Sequence, residues 1–471
     1  MAGMNLCLAF AIVSSACWSA FQHGYNTGVM NLPLDVIKDW VKYETQKGSN
    51  TTVDTNDGKV TTVISVAVSI YCVGGMIGGM ITGVIADRFG RKGGLLLNNA
   101  LAFVAAILQG ISKWASSVEL LIIGRLVIGV NNGLNAGLAP MYLSEISPVS
   151  LRGSIGTVYQ LVITMTILLS QALGLQSVLG TPKSWPWLFA ITALPSVVQL
   201  LTLPWCPESP KYLLLNKGQE LKAQRALNWL RRDAVVHSEM EAMHQEAEIN
   251  KVSKKVTLRE LFANRQLRQP LIIAIVVMIA QQLSGINIVI YFSTQIFKKV
   301  QLSEAQAQYG TLGMGAMNVI MTVVSLFLVE AAGRKILLLS GFAGMFVCTT
   351  ALCIASAYSH VSWVSYVCIL LVILFVVMFA VGPGSIPWFL VTELFNQQSR
   401  PAATSVAVTV NWTANFIVGL SFLPLFTLLA EKAFIIFAVL QLIFMFFIYY
   451  KVPETKNKTI EEITAIYRQR I

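Results

Sequence analysis

The sequence predicts an all-α membrane protein: twelve transmembrane helices in two six-helix halves, with cytoplasmic helices between them. Three observations lead there. Charged residues make up 12% of the 471-residue chain and hydrophobic residues 55%, against about a quarter charged in soluble domains. The apolar residues come in uncharged blocks: residues 1–34, 153–182 and 401–430 hold no Asp, Glu, Lys or Arg, and neither do the 57 residues 336–392. A helix needs about 20 such residues to cross a bilayer, so the last block holds two crossings and a turn. Finally, short motifs return at nearly one offset in the two halves of the chain.

Charged and turn residues place the spans near 5–31, 61–86, 94–112, 119–142, 154–177, 185–205, 270–296, 307–329, 336–357, 363–391, 402–424 and 432–450. The first is read as a retained span, because it lacks a basic leader and its apolar stretch runs past Leu32, too long for a signal peptide. Residues 32–60 carry four Lys against five acids, whereas 207–268 carry twelve Lys or Arg against eight acids. The basic connections "DRFGRK", "SLRG" and "RKI" fall on the side of the second segment. Positive residues collect inside, so that segment and both termini are expected in the cytoplasm. The resulting organisation is a first half over 1–206, a cytoplasmic helical linker over 207–268, a second half over 269–450 and a cytoplasmic tail over 451–471. In the linker, "KYLLLNKGQELKAQRALNWLRR" spaces Leu and Trp at three and four residues, as amphipathic helices do. Asn50-Thr51-Thr52 is a glycosylation sequon in the loop expected outside, whereas Asn411-Trp412-Thr413 lies within a span.

Several function classes drop out. The seven cysteines form no CxxC pair and sit in or beside apolar spans, so they read as small core residues without a metal. The net charge of +11 is distributed as a topology signal and not as a nucleic-acid surface. No nucleophile–base set lies within the spans, so an enzyme is not expected, nor a cofactor.

The repeat is specific. Asp87-Arg88-Phe89-Gly90-Arg91-Lys92 returns 243 residues later as Glu330-Ala331-Ala332-Gly333-Arg334-Lys335. Glu145 and Arg152 return as Glu393 and Arg400 at an offset of 248, and Pro207-Glu208-Ser209 returns as Pro453-Glu454-Thr455 at 246. Two repeated six-helix halves joined by a cytoplasmic segment are the construction of major facilitator transporters. An inner charge network of Arg91, Glu145, Arg152, Glu330, Arg334, Glu393 and Arg400 is expected, with pairs across the two halves. Arg125 in "GRLVIG", about two turns in from the outer surface, is explained by snorkelling or by one local partner as well as by a transport role.

The motifs "DRFGRK", "GRLVIG", "PESPKYLL", "QQLSGIN", "VEAAGRK", "VGPGSIPWFLVTELF", "SRPAA", "NWTANFIVG" and "VPETKNKT" resemble those of the sugar porters, with the spacing of the animal facilitative glucose transporters. The likeness runs from about Phe21 to Gln469. It implies the major facilitator fold and alternating access around a hexose held at the bilayer midplane.

A hexose is a ring of uncharged hydroxyls, and amide side chains match it because each both donates and accepts. The resemblance assigns substrate binding to Gln160, Gln281, Gln282, Asn287, Asn318, Phe379, Trp388 and Asn411, and gating to Tyr291, Phe292 and His23. On a straight helix Asn287 would point about 140° away from Gln282, at about 100° per residue. Both can face one cavity only if the helix breaks, which Gly285 permits; "GPGSIP" at 382–387 does the same ahead of Trp388.

The chain also departs from the glucose-selective pattern. Ala380 follows Phe379 where those relatives carry Glu, and Met278-Ile279-Ala280 replaces their Gln-Leu-Ser. Trp388, lost in fructose-specific relatives, is present, which favours glucose over fructose or mixed hexoses. The family's proton symporters place Asp two residues after the first-span glycine, where this chain reads Gly24-Tyr25-Asn26, and no span interior contains Asp or Glu. A facilitative hexose uniporter of the plasma membrane is therefore expected, over a fructose-preferring or proton-coupled transporter or a sugar receptor that no longer transports.

Overall fold

The computed structural model describes residues 3–47, 56–232, 236–252 and 254–469. The sequon at Asn50 lies outside the described residues. Among these, eleven helices are long and apolar enough to cross a membrane. The longest is two crossings, because Asn56–Ile111 leaves helical geometry at Gly90, where φ is 80° and ψ 179°. Twelve spans result: Leu6–Gly28, two within Gly58–Ile111, Val118–Ile146, Val149–Leu173, Trp185–Trp205, Arg265–Thr294, Glu304–Ala332, Arg334–Ala357, Val364–Leu394, Arg400–Phe422 and Ala430–Lys451.

The repeated motifs build the same corner twice. Gly333 separates the eighth and ninth spans with φ 88° and ψ 179°, matching Gly90 between the second and third. Such backbone suits glycine, and a Cβ at either position would also strike a carboxylate, that of Glu208 or of Glu454. Those carboxylates satisfy the free N–H groups that open each following helix. Glu208 accepts from the amides of Arg91, Lys92 and Gly93 at 3.2, 3.0 and 3.3 Å. Glu454 accepts from those of Arg334 and Lys335 at 2.9 and 3.1 Å. "PES" and "PET" are thus helix caps supplied from a distance.

Between the halves lie a helical turn, Tyr212–Asn216, and the helices Glu220–Arg231, His237–Lys251 and Leu258–Ala263. Leu214, Ala223, Leu227, Met240 and Met243 close a small core of their own. Arg231 ties this layer to the fourth span, donating to Glu239 at 2.8 and 2.9 Å and to the Ile146 carbonyl at 2.8 Å. The end of the bundle that carries these helices is called the inner end below. At the outer end, the helix Leu34–Gln46 buries Ile37, Trp40 and Val41 against Trp185 and Phe189.

The halves meet where small residues on one side make room for rings on the other. Gly75 of the second span backs onto the Trp412 ring of the eleventh, and Gly156 of the fifth onto Phe389 of the tenth. Ser405 Oγ donates to the Gly79 carbonyl at 2.5 Å. Two spans break near mid-bundle. The seventh divides at Gly285, with φ 102°, into Arg265–Leu283 and Ile286–Lys299. The tenth divides into Val364–Val381 and Ile386–Leu394.

Candidate functional site

The two breaks face each other and share one amide. Gln281 Nε2 donates to the carbonyls of Pro383 and Gly384 at 3.1 and 2.9 Å, the groups that the interrupted tenth span leaves free. Its Oε1 accepts from Gln282 Nε2 at 3.2 Å and from Asn411 Nδ2 at 2.9 Å. Gln282 Nε2 also reaches Asn411 Oδ1 at 3.1 Å, and Asn287 Nδ2 donates to Gln282 Oε1. The turn at Gly285 therefore brings Asn287 round to Gln282. All four amides are buried. An unpaired buried amide costs about 1–3 kcal/mol, and here the four satisfy one another.

Both halves supply an aromatic wall beside them, with His23, Tyr159 and Gln160 from the first and Trp388 and Trp412 from the second. Trp388 Nε1 donates to Gln160 Oε1 at 3.1 Å, linking the tenth span to the fifth. His23 Nδ1 lies 2.9 Å from the Tyr159 hydroxyl. The His23 ring stacks on Trp412 at 5.3 Å and meets Trp388 edge-on at 5.6 Å. Amides on one side and rings on the other suit a ligand with hydroxyl edges and C–H faces.

At the inner end two acids each hold two arginines. Glu145 accepts from Arg91 at 3.2 and 3.0 Å and from Arg400 at 3.2 Å. Glu393 accepts from Arg334 at 3.3 and 2.9 Å and from Arg152 at 3.0 Å. Ser209 caps the first acid and Thr455 the second. Of the pairs expected across the halves, the geometry contains Arg400–Glu145 and Arg152–Glu393, whereas Arg91 and Arg334 pair within their own halves. Glu330 likewise reaches Arg334 of its own half at 3.7 Å and touches the first half only through the Ser154 N–H at 3.1 Å.

The sugar (and other) transporter family model matches residues 12–467. The chain is 45% identical over 458 residues to "Solute carrier family 2, facilitated glucose transporter member 1" of Gallus gallus, covering 97% of this chain and 93% of that one. It belongs to the sugar transporter family. Member 3 of the same series in Ovis aries is 45% identical over 465 residues, covering 98% of this chain and 93% of its own. The major facilitator proton:xylose symporter XylE bound to 6-bromo-6-deoxy-D-glucose superposes with a TM-score of 0.85 at 23% identity, covering 98% of this chain and all of that one. The inward open conformation of XylE from E. coli superposes at 0.71 and 24% identity, over 98% and 99%.

In this transporter not every expected residue joins the cluster. Asn318 is buried in the eighth span with its Oδ1 unpartnered. Phe379 packs into the core behind Gly384. Phe292 stacks on Phe422 at 5.6 Å and packs with Ile288, Ile296 and Val418 of the second half. Tyr291 does turn inward, donating to Asn415 Oδ1 at 3.1 Å. Arg125 is 2% exposed and so does not snorkel. Its Nη1 donates to the Asn26 carbonyl at 3.1 Å and its guanidinium lies 4.5 Å from the Tyr71 ring centre, a cation–π contact.

Sequence reasoning missed Tyr159 and Trp412, which position His23. It also missed Gln441, a lone amide within "FAVLQLIFMFF" of the last span. The signal was available, since a polar group in a bilayer span needs a partner.

Proposed function

We propose that this chain is a facilitative hexose uniporter, with glucose as the principal substrate, lying in the plasma membrane with both termini in the cytoplasm. The observation that carries the reading is the uncharged amide cluster at the meeting point of the two broken helices. A hexose exchanges its hydroxyls for the amides' mutual bonds, so binding requires no buried ion to lose its water. The glucose-transporter names of the relatives agree with this choice.

Gln282, Asn287 and Asn411 bond the sugar's hydroxyl edge in this reading, Gln281 anchors the frame, and Trp388, held by Gln160, packs on its C–H face. Tyr291 on Asn415 and His23 on Tyr159 control access. The Arg152 and Arg400 pairs hold the inner end closed and part when the halves rock. Coupling to protons requires a titrating carboxylate within the membrane. Asn26 stands where the symporters carry Asp, so transport is passive. Uptake of labelled D-glucose and D-fructose into proteoliposomes, with and without a pH gradient, tests this. Glucose is expected to equilibrate at the same level in both; accumulation driven by the gradient refutes it.

A further inference from the structure

We infer that Gln441 is a positioning residue for the sugar site: it clamps the hinge of the seventh span and thereby sets the angle at which Gln282 and Asn287 meet the substrate. This rests on the hexose-binding reading above. In a continuous helix the Ser284 carbonyl would accept from the N–H of Ile288, four residues on. The left-handed turn at Gly285 diverts that N–H to the Gly285 carbonyl, at 3.2 Å. The freed Ser284 carbonyl is taken by Gln441 Nε2 of the twelfth span at 2.6 Å, and the second N–H of that amide holds Thr349 Oγ1 of the ninth at 3.0 Å. Gln441 is fully buried, and its own Oε1 has no partner. An orphaned oxygen in an apolar span is a cost that Leu or Met would avoid, so the donor function is what the amide contributes.

The hinge has room to move. A small void of about 30 Å³ lined by Ser284, Gly285, Thr349, Phe375 and Phe437 abuts the clamp. Ser284 is two residues from Gln282 and three from Asn287. With the clamp absent, the outer half-helix Ile286–Lys299 can settle toward the void, which carries Asn287 away from Gln282.

The test uses the full-length protein in proteoliposomes and compares Gln441→Met with Thr349→Val. Met fills the same space but gives the Ser284 carbonyl nothing, whereas Thr349→Val removes only the clamp's second partner. D-glucose affinity is expected to fall five- to fiftyfold in Gln441→Met and to stay within twofold in Thr349→Val, with melting temperatures recorded for both. If both lose thermal stability while both bind glucose within twofold of wild type, Gln441 merely ties spans together and the inference is overturned. If Gln441→Met does not fold, Gln441→Asn, whose amide is about one carbon too short to reach, carries the same expectation. Wild type is measured first. If it shows no saturable glucose binding, the hexose reading fails. The clamp is then judged by maleimide labelling of a cysteine introduced at Ile290, whose rate should rise several-fold in Gln441→Met; an unchanged rate overturns it.

Discussion

Replacing Gln282 by Leu perturbs the site in two ways that can be separated. The side chain keeps a similar volume, but three hydrogen bonds vanish: those of Nε2 to Gln281 and Asn411, and the one its Oε1 accepts from Asn287. Without a ligand, Asn287 Nδ2 and Asn411 Oδ1 lose their partner, so a loss of thermal stability is expected even if no sugar ever touches this residue. A lowered melting temperature alone is therefore uninformative. The sugar's own stabilisation is the discriminating quantity. Loss of one sugar hydroxyl's partner costs about 2 kcal/mol, roughly thirtyfold in affinity. At a glucose concentration of about 100 times the wild-type Kd, wild type gains about 2.7 kcal/mol, whereas the variant, at only about three times its own Kd, gains about 0.8 kcal/mol. A thermal shift assay with and without D-glucose should show the ligand-induced rise shrinking to about a third. A variant that melts lower but keeps the full glucose-induced rise would refute the assignment of Gln282 to the sugar.

Arg400→Ala removes a cross-half partner of Glu145 and leaves the Arg91 pair intact; maleimide labelling of cysteines in the inner vestibule should rise several-fold, and unchanged labelling would reduce Arg400 to a topology signal. His23→Phe keeps a ring against Trp412 and Trp388 but deletes the hydrogen bond with the Tyr159 hydroxyl. Glucose uptake by this variant should remain independent of a pH gradient, with a change in rate only; a gradient-driven accumulation in wild type that disappears in the variant would assign His23 to coupling. Gly90→Ala and Gly333→Ala should each destabilise by more than about 1 kcal/mol, through the positive φ and the collision with Glu208 or Glu454. Yields of folded protein should drop alike for both, and a tolerated Gly333→Ala would argue against equivalence of the two corners.

Much of this was legible in the residues. Uncharged blocks fix the spans because lipid forbids charge there; the break at Gly285 follows from the angle between Gln282 and Asn287, and that at 382–387 from its own glycines and prolines. The charge network was legible as a set, because Glu145, Arg152, Glu393 and Arg400 repeat at one offset. Its pairing was not. Whether Arg91 or Arg400 reaches Glu145 depends on how two helix ends meet in space, and sequence spacing carries no such distance. The surroundings of Phe292 were illegible for a similar reason. The residue adjoins Tyr291, yet neighbours on a helix point about 100° apart, and only the fold brings Phe422 against its ring. Gln281 reads like its neighbour, but its two N–H groups are committed to the backbone of a helix a hundred residues away.

The division of labour at the inner end bears on how salt acts on the cycle. In the proposed opening of the inner end, Glu145 would keep Arg91 and Glu393 would keep Arg334, because both pairs lie within one half. Arg400 retains the carbonyls of Thr392 and Phe395 and the amide of Gln397, all on its own side of the divide. Arg152 fares differently: Glu393 and the Lys458 carbonyl both depart with the opposite half. On the proposed inward opening the Arg152 guanidinium would thus be released into water, where dissolved anions compensate it. Raising ionic strength on the inner side alone should therefore bias resting transporters toward the inward-open form, while the same salt applied outside leaves the distribution where it was.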